Sequence, residues 1–371
     1  MKSSFNSYES LKREVAEPRE IDTSRPVWIF GAGNFGRSLS QAMLARGIAV
    51  AGFVETMPKS ANVLNLPVVD WAQLLKIDKN AQLALGILNR STPYDNLVKI
   101  AQNAGFANLL MPWDTYDIFE KELGWRFWLS KRSFLVAGLD RISKVSTRLA
   151  DQESRATLMR ITAFRLGLDM DFAGYKSEEN QYFNEFSLRS LRNKSITYVD
   201  CGAYNGDTYI DLLNQKSISC KQAFLMEPDP ENFAQLVKNV APIAESYPIC
   251  LPLAAADKYQ ILSFNSGQGE GGAIGVNGDI HIAAASIDEI VGKLDIDFIK
   301  LDVEGAEAQV LNGARNTINR SRPVLALSLY HNPQDIWALP ELMFDLCDGY
   351  DFYLRQHYYN SFDSVFYAVP K

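Results

Sequence analysis

Two α/β units, each of parallel strands covered by helices and joined by a helical segment, are the fold that this 371-residue sequence predicts. Three observations carry the prediction. An apolar run, a glycine turn and a helical stretch follow one another twice, from Val27 and again from Ile196. Each time a second apolar run closes on a glutamate, Glu55 in the first unit and Glu227 in the second. Between the units, residues 113–195 lack strand-like alternation and are rich in helix formers.

Residues 1–24 are polar and read as a loose arm or a capping helix. The first unit spans 25–112. Val27–Phe30 enters a turn in which Gly31, Gly33 and Gly36 are spaced Gly-x-Gly-x-x-Gly. A helical pattern follows through Leu39, Ala42, Met43 and Ala45 and stops at Gly47. Ile48–Val54 is the next strand, and Glu55 stands 19 positions after Gly36. That spacing is the dinucleotide fingerprint, in which the acid meets a ribose. Pro67–Val69, Ala81–Ile87 and Ala107–Leu110 read as further strands, and Pro93–Ala104 as a helix ended by Gly105. The unit is therefore a small Rossmann-like domain.

The connector, 113–195, carries a helical stripe of Leu158, Ile161 and Phe164 within Asp151–Leu166, and a last helix near Tyr182–Leu191. The second unit spans 196–371. Its strand candidates are Ile196–Val199, Ala223–Met226, Ile249–Ala254, Ile296–Leu301, Val324–Tyr330, Tyr350–Leu354 and Ser364–Val369. Helices fall between the first five, and the last two can pair as an antiparallel edge. Ser286 and Glu289 are spaced as a capping box, which gives them a structural role.

Composition narrows the function classes. Hydrophobic residues make up 47% and charged residues 22%, the balance of an ordinary globular protein. A net charge of −7 leaves no basic surplus for neutralising phosphates, which argues against a nucleic-acid partner. Cys201, Cys220, Cys250 and Cys347 form no CxxC pair and read as core residues in a reducing compartment. No run is long enough for a membrane span and the start is polar, so a cytoplasmic location is expected.

The second glycine turn is the more informative. It reads Val199-Asp-Cys-Gly-Ala-Tyr-Asn-Gly-Asp-Thr208, with Glu227 21 residues after Gly206. Glycines let a ligand approach the backbone, and the following helix start offers unpaired N–H groups. Asp200 and Asp207 would repel a diphosphate, whereas a ligand with an ammonium and a sulfonium tolerates them. A carboxylate at the tip of the second strand suits both hydroxyls of a ribose.

Four blocks in order, VDCGAYNGDT (199–208), MEPDPENF (226–233), IDFIKLDVEGAEAQVLNGA (296–314) and RPVLALSLYHN (322–332), resemble the FkbM-type methyltransferases. The resemblance covers roughly the C-terminal 190 residues. The connector is similar to that of members with an additional N-terminal domain. The resemblance implies a class I methyltransferase sheet and O-methylation by S-adenosylmethionine (AdoMet) of a hydroxyl on a sugar, glycan or secondary metabolite. It also implies that Gly202, Ala203 and Gly206 line the methionine part, with Asp200, Tyr204, Asp207 and Pro228 also among the residues that bind the donor. Glu227 would hold the ribose, and Asp257 would reach the adenine edge. Asp302, at the tip of the fourth strand, would lie beside the methyl group.

Methyl transfer to oxygen needs in-line approach, a proton acceptor and exclusion of water. Asp302, Glu304 and His331 follow strand ends, where ligands of open α/β sheets bind. His331 either accepts the proton, as its ordinary pKa suits, or simply caps its strand. The same three side chains could instead hold a divalent cation. Glu307 reads as the start of a helix, where a carboxylate favours the dipole. His281 and His357 read as surface or core residues. The glycine-rich run Gly267–Gly278 reads as a lid or a plain hairpin tip.

The rival reading starts from Gly31, Gly33, Gly36 and Glu55: an NAD(P)-dependent oxidoreductase. No Tyr-x-x-x-Lys or Lys/His pair for hydride chemistry follows that fingerprint. A binding or scaffold role is therefore preferred for the first unit: a nucleotide-linked sugar, the acceptor, or a second copy in a homodimer. Trp113, Trp125, Trp128 and Tyr116 could stack on sugar rings or pack a core.

Overall fold

A computed structural model describes residues 5, 7–15, 17–171, 176–243, 248–265, 278 and 280–371. The N-terminal sheet contains β1 (Val27–Phe30), β2 (Val50–Val54), β3 (Asn62–Val63), β4 (Leu66–Val69), β5 (Gln82–Leu85) and β6 (Leu109–Leu110). Their order is β3-β4-β2-β1-β5-β6, with only the β3–β4 pair antiparallel. The helix Asn34–Ala45 follows β1 and Tyr94–Asn103 follows β5.

The rest of the strands are β7 (Ser195–Cys201), β8 (Ser219–Met226), β9 (Ile249–Leu251), β10 (Ala254–Ala255), β11 (Gln260–Phe264), β12 (Ile280–Ala285), β13 (Phe298–Leu301), β14 (Val324–Ser328), β15 (Tyr350–Gln356) and β16 (Ser364–Pro370). The large sheet runs β15-β16-β14-β13-β7-β8-β9. β16 pairs antiparallel with both β14 and β15, and the pairs from β14 through β13, β7 and β8 to β9 are all parallel. The C-terminal edge hairpin is therefore the antiparallel edge expected from the sequence. β13 and β14 are buried throughout, which is why they read as continuous apolar runs.

Three elements differ from those expected. Ile249–Ala254 splits into β9 and β10 because Pro252 brings no N–H to a ladder. β11 and β12, not foreseen, form a small sheet in the order β10-β12-β11. Their partly exposed residues dilute the alternation that marks a strand. The last connector helix is only Glu185–Leu188. The Gly267–Gly278 reading lies outside the described residues, apart from Gly278 itself.

The arm forms the helix Tyr8–Glu14, capped by Ser7, and seats the fully buried Leu11 in the core. The connector helices are Pro112–Leu123, Arg132–Arg148, Gln152–Arg165 and Glu185–Leu188. Arg132–Arg148 and Gln152–Arg165 pack together, and the latter lies on β15. Its buried Arg165 donates to Ser361 Oγ at 2.8 Å and to Leu329 O at 3.1 Å. One continuous apolar core runs from the N-terminal sheet through these helices to one face of the large sheet. A second, with Tyr198, Phe298 and Tyr367, covers the opposite face. Ser286 and Glu289 make the reciprocal capping box expected of them.

The two α/β units also meet at a loop. The segment between β15 and β16 reaches the turn after β5. There Asn360 Nδ2 donates to Asn89 O at 2.8 Å and Thr92 O at 2.7 Å, and its Oδ1 accepts from Tyr94 N at 3.0 Å. These bonds fix Arg90 beside the carboxyl ends of the large sheet.

Candidate active site

The chain leaves β7 toward β8 on one side, while β13 lies on the other. Strand order reverses there, and the crevice at the carboxyl ends is where such sheets bind ligands. Gly202 turns the chain with φ +83°, and a Cβ on it would sit 1.9 Å from Asp302 O. No side chain fits between the two strand ends. Gly206, with φ +85°, precedes the helix Asp207–Leu213, and a Cβ there would meet Leu236 Cδ1 at 2.8 Å.

A buried ion pair supports the turn from below. Lys300 Nζ donates to Asp200 Oδ1 and to Gly202 O, both at 2.8 Å, and Tyr198 OH donates to Asp200 Oδ2 at 2.9 Å. Glu227 closes the far side. Its Oε2 accepts from Tyr204 N at 2.8 Å and its Oε1 from Asp229 N at 2.9 Å. Burial pushes its carboxyl up to about 7.

A cleft of about 1040 Å³, open to solvent, lies above these strand ends. At one end it is lined by Gly202, Tyr204, Asp207, Thr208, Glu227 and Pro228. At the other stand Asp302, Glu304, Tyr330, Asp363 and Arg90. Tyr182 OH donates to Asp302 Oδ2 at 3.2 Å and Tyr330 OH to Oδ1 at 3.4 Å. His331 is fully buried behind them. Its Nε2 lies 3.3 Å from Asp302 Oδ1 and 3.6 Å from Glu304 Oε2, and its Nδ1 lies 2.6 Å from Glu307 Oε1.

The charges are unevenly held. Burial raises Asp302, but Lys300 and His331 outweigh it and keep the carboxyl below its ordinary value. Burial pushes Glu304 up to about 8, with Asp302 and Glu307 adding to the shift. Burial opposes a charge on His331, yet Glu307, Glu304 and Asp302 together raise it well above its ordinary value. Burial also takes Asp363 up to about 6.

Residues 200–360 match the family described as the methyltransferase FkbM domain. This stretch, less than half of the chain, is similar to FkbM methyltransferase domains. The chain's fold is also that of a solved FkbM methyltransferase from Methylobacillus flagellatus KT, at TM-score 0.74 and 21% identity, covering 92% of this chain and 89% of that one. The shared fold thus extends well beyond the matched domain. Weaker matches are an rRNA methylase from Streptococcus thermophilus (TM-score 0.32, 13% identity, 50% of this chain and 93% of that one) and a precorrin-6y C5,15-methyltransferase from Geobacter metallireducens GS-15 (TM-score 0.32, 12% identity, 54% and 94%). No curated protein matches the chain.

Of the residues expected around the methyl donor, Gly202, Tyr204, Asp207, Glu227 and Pro228 line the cleft. Asp200, Ala203, Gly206 and Asp257 do not. Asp200 is fully buried on Lys300, and Ala203 and Gly206 are buried in the turn. Asp257 is exposed and accepts from Gln260 Nε2 at 3.1 Å. Asp302, Glu304 and His331 are brought together. Among the described residues no group of three His, Cys, Asp or Glu is disposed to hold a metal ion. None of the helices among those residues is long and apolar enough to cross a membrane.

Several residues of the site escaped the sequence reading. Lys300 is a charge inside an apolar strand, and that was a usable signal. Arg90 gave none, because it comes from a loop of the other unit. Of the aromatic residues, Trp113, Trp128 and Tyr116 are buried, whereas Trp125 is 44% exposed and donates to His331 O at 2.9 Å.

The first glycine turn is closely packed. A Cβ on Gly36 would sit 2.0 Å from Gly31 O, and one on Gly31 would meet Ile87 Cγ1 at 2.5 Å. Gly33 alone has open space around it. Glu55 accepts from Ala32 N at 3.2 Å, the counterpart of Glu227 with Tyr204.

Proposed function

We propose that this protein is an AdoMet-dependent O-methyltransferase acting on a hydroxyl of a sugar, glycan or secondary metabolite. The observation that carries the reading is the cleft that joins Glu227 at one end to Asp302 and Glu304 at the other, with His331 buried directly behind those two carboxylates. The donor set suits AdoMet: a carboxylate for ribose hydroxyls, a backbone turn without a cradle of cations, and no side chain at Gly202. AdoMet supplies a methyl group on a sulfonium, a leaving group that needs no further activation.

The chain's own residues then do three things. Glu227 and the 202–204 backbone orient the donor, while Ala254, Ala255 and Phe264 line the apolar wall suited to adenine. Asp302, steadied by Tyr182 and Tyr330, is the carboxylate beside the transfer point, where fixed charges act most strongly. His331 Nε2 takes the proton of the acceptor hydroxyl as the new C–O bond forms. It does so as the neutral ring, so the reaction draws on the form that its acidic neighbours disfavour.

Arg90 brings the N-terminal unit into the acceptor end. Its guanidinium lies 3.5 Å from Asp363 Oδ1 and 5.1 Å from the centre of the Tyr358 ring. A location in the cytoplasm fits four free cysteines.

Calorimetric titration with AdoMet, S-adenosylhomocysteine and NAD(H) tests the reading. Binding of the first two, and not of NAD(H), is expected. Binding of NAD(H) alone would overturn it and make the first glycine turn the functional centre.

A further inference from the structure

We propose that Glu307 is the positioning residue of this site: its carboxylate fixes the His331 ring and turns Nε2 toward the cleft. The idea rests on the reading of His331 as the proton acceptor. Both side chains are buried, and their contact is short, 2.6 Å from Nδ1 to Glu307 Oε1. A carboxylate only accepts, so the proton in that contact belongs to Nδ1. The opposite nitrogen, Nε2, is buried and makes no hydrogen bond. It faces Asp302 and Glu304, which line the cleft. With Nδ1 tied to Glu307, the ring keeps Nε2 on the side of the two carboxylates that border the cleft.

The backbone explains how three carboxylates reach one ring. Between β13 and the helix Glu307–Asn312 the chain takes positive φ at Glu304 (53°) and Gly305 (103°). That bend sends Glu304 to the Nε2 side and Glu307 to the Nδ1 side. Glu307 is itself held, since Oε1 also accepts from Val303 N at 3.1 Å. The ring is held on its other flanks by Tyr330, 4.2 Å between ring centres, and by Trp125 on the His331 carbonyl. The charged groups facing the imidazole are Asp302, Glu304 and Glu307, with Asp335 and Asp363 further out.

The chain has three histidines, so nitrogen-15 NMR of the full-length protein can follow His331 alone once the other two are assigned by substitution. The wild type is expected to show a protonated Nδ1 that is strongly deshielded and slow to exchange. Glu307→Gln is expected to lower the proton affinity of His331 at least about tenfold, one pKa unit. Glu307→Asp, which keeps the charge, should restore part of it. If Glu307 only braces the loop through Val303, Glu307→Gln lowers the melting temperature and leaves the His331 midpoint in place. That result overturns the proposal, as does an unprotonated Nδ1 in the wild type. Should Glu307→Gln fail to fold, the wild-type spectrum decides alone. Adding AdoMet to the same sample tests the methyltransferase reading separately: absent binding would sink that reading and leave the Glu307–His331 result standing.

Discussion

The chain folds the same device twice. A strand, a glycine turn and a helix are followed by a strand that ends in a glutamate, and in both units that glutamate accepts from a backbone N–H of the turn. The surroundings differ. Around Gly31 and Gly36 the turn is pressed against Ile87 and Gly86, and Glu55 is half-buried. At Gly202 the turn faces a cleft shared with Asp302 and Glu304, and Glu227 is buried with a raised pKa. The comparison teaches that a glycine fingerprint reports a close approach of backbone, and that the close partner can be the protein itself. Gly202 is packed as closely, on Asp302 O, but the second turn also borders a cleft whose other residues come from neighbouring strands.

The largest expected effect separates the turns by their packing. Gly202→Ala puts a methyl group onto Asp302 O in a left-handed backbone, and should abolish AdoMet binding and destabilise the fold by about 3 kcal/mol or more. Gly36→Ala should cost a similar amount through the N-terminal sheet. Because one core joins the units, both should lower a single melting transition, and two separate transitions would count against that continuity.

Next come the glutamates. Glu227→Ala should weaken AdoMet binding by roughly 10- to 150-fold, the worth of a hydrogen bond to a charged group at about 1.5–3 kcal/mol. Glu55→Ala should leave that affinity within error. Equal losses in calorimetry would erase the distinction between the turns.

The pH profile sharpens the chemical side. His331 must be neutral to take a proton, and Glu307, Glu304 and Asp302 hold the proton on. Turnover with a working acceptor should therefore climb with pH through a midpoint above the ordinary histidine value. A rate that falls across that range would argue against His331. The smallest effect belongs to Arg90→Ala. Its partly exposed ion pair contributes about 1 kcal/mol or less to stability. Its loss should raise the KM for the acceptor several-fold and leave AdoMet affinity unchanged.

Much of this was legible in the sequence. The parallel strands, the antiparallel edge hairpin and both glycine turns were, because buried strands read as apolar runs and turns need glycine. Glu227, Asp302, Glu304 and His331 were legible as residues that follow strand ends. Their mutual distances were not, since these depend on strand order. Asp200 was read as facing the ligand because it sits in the fingerprint. Its place under the turn follows from Lys300, 100 positions away. Glu307 was read from its helix position alone, and its partner His331 lies on another strand. Arg90 enters the cleft through the hydrogen bonds of Asn360, a tertiary contact that no local pattern announces.

A crystal structure of the protein with S-adenosylhomocysteine tests the central claim most directly. The account predicts the ribose on Glu227 and the sulfur near Asp302, with the Gly31–Gly36 turn empty. Ligand seated on the first turn, with the Glu227 cleft vacant, would contradict it.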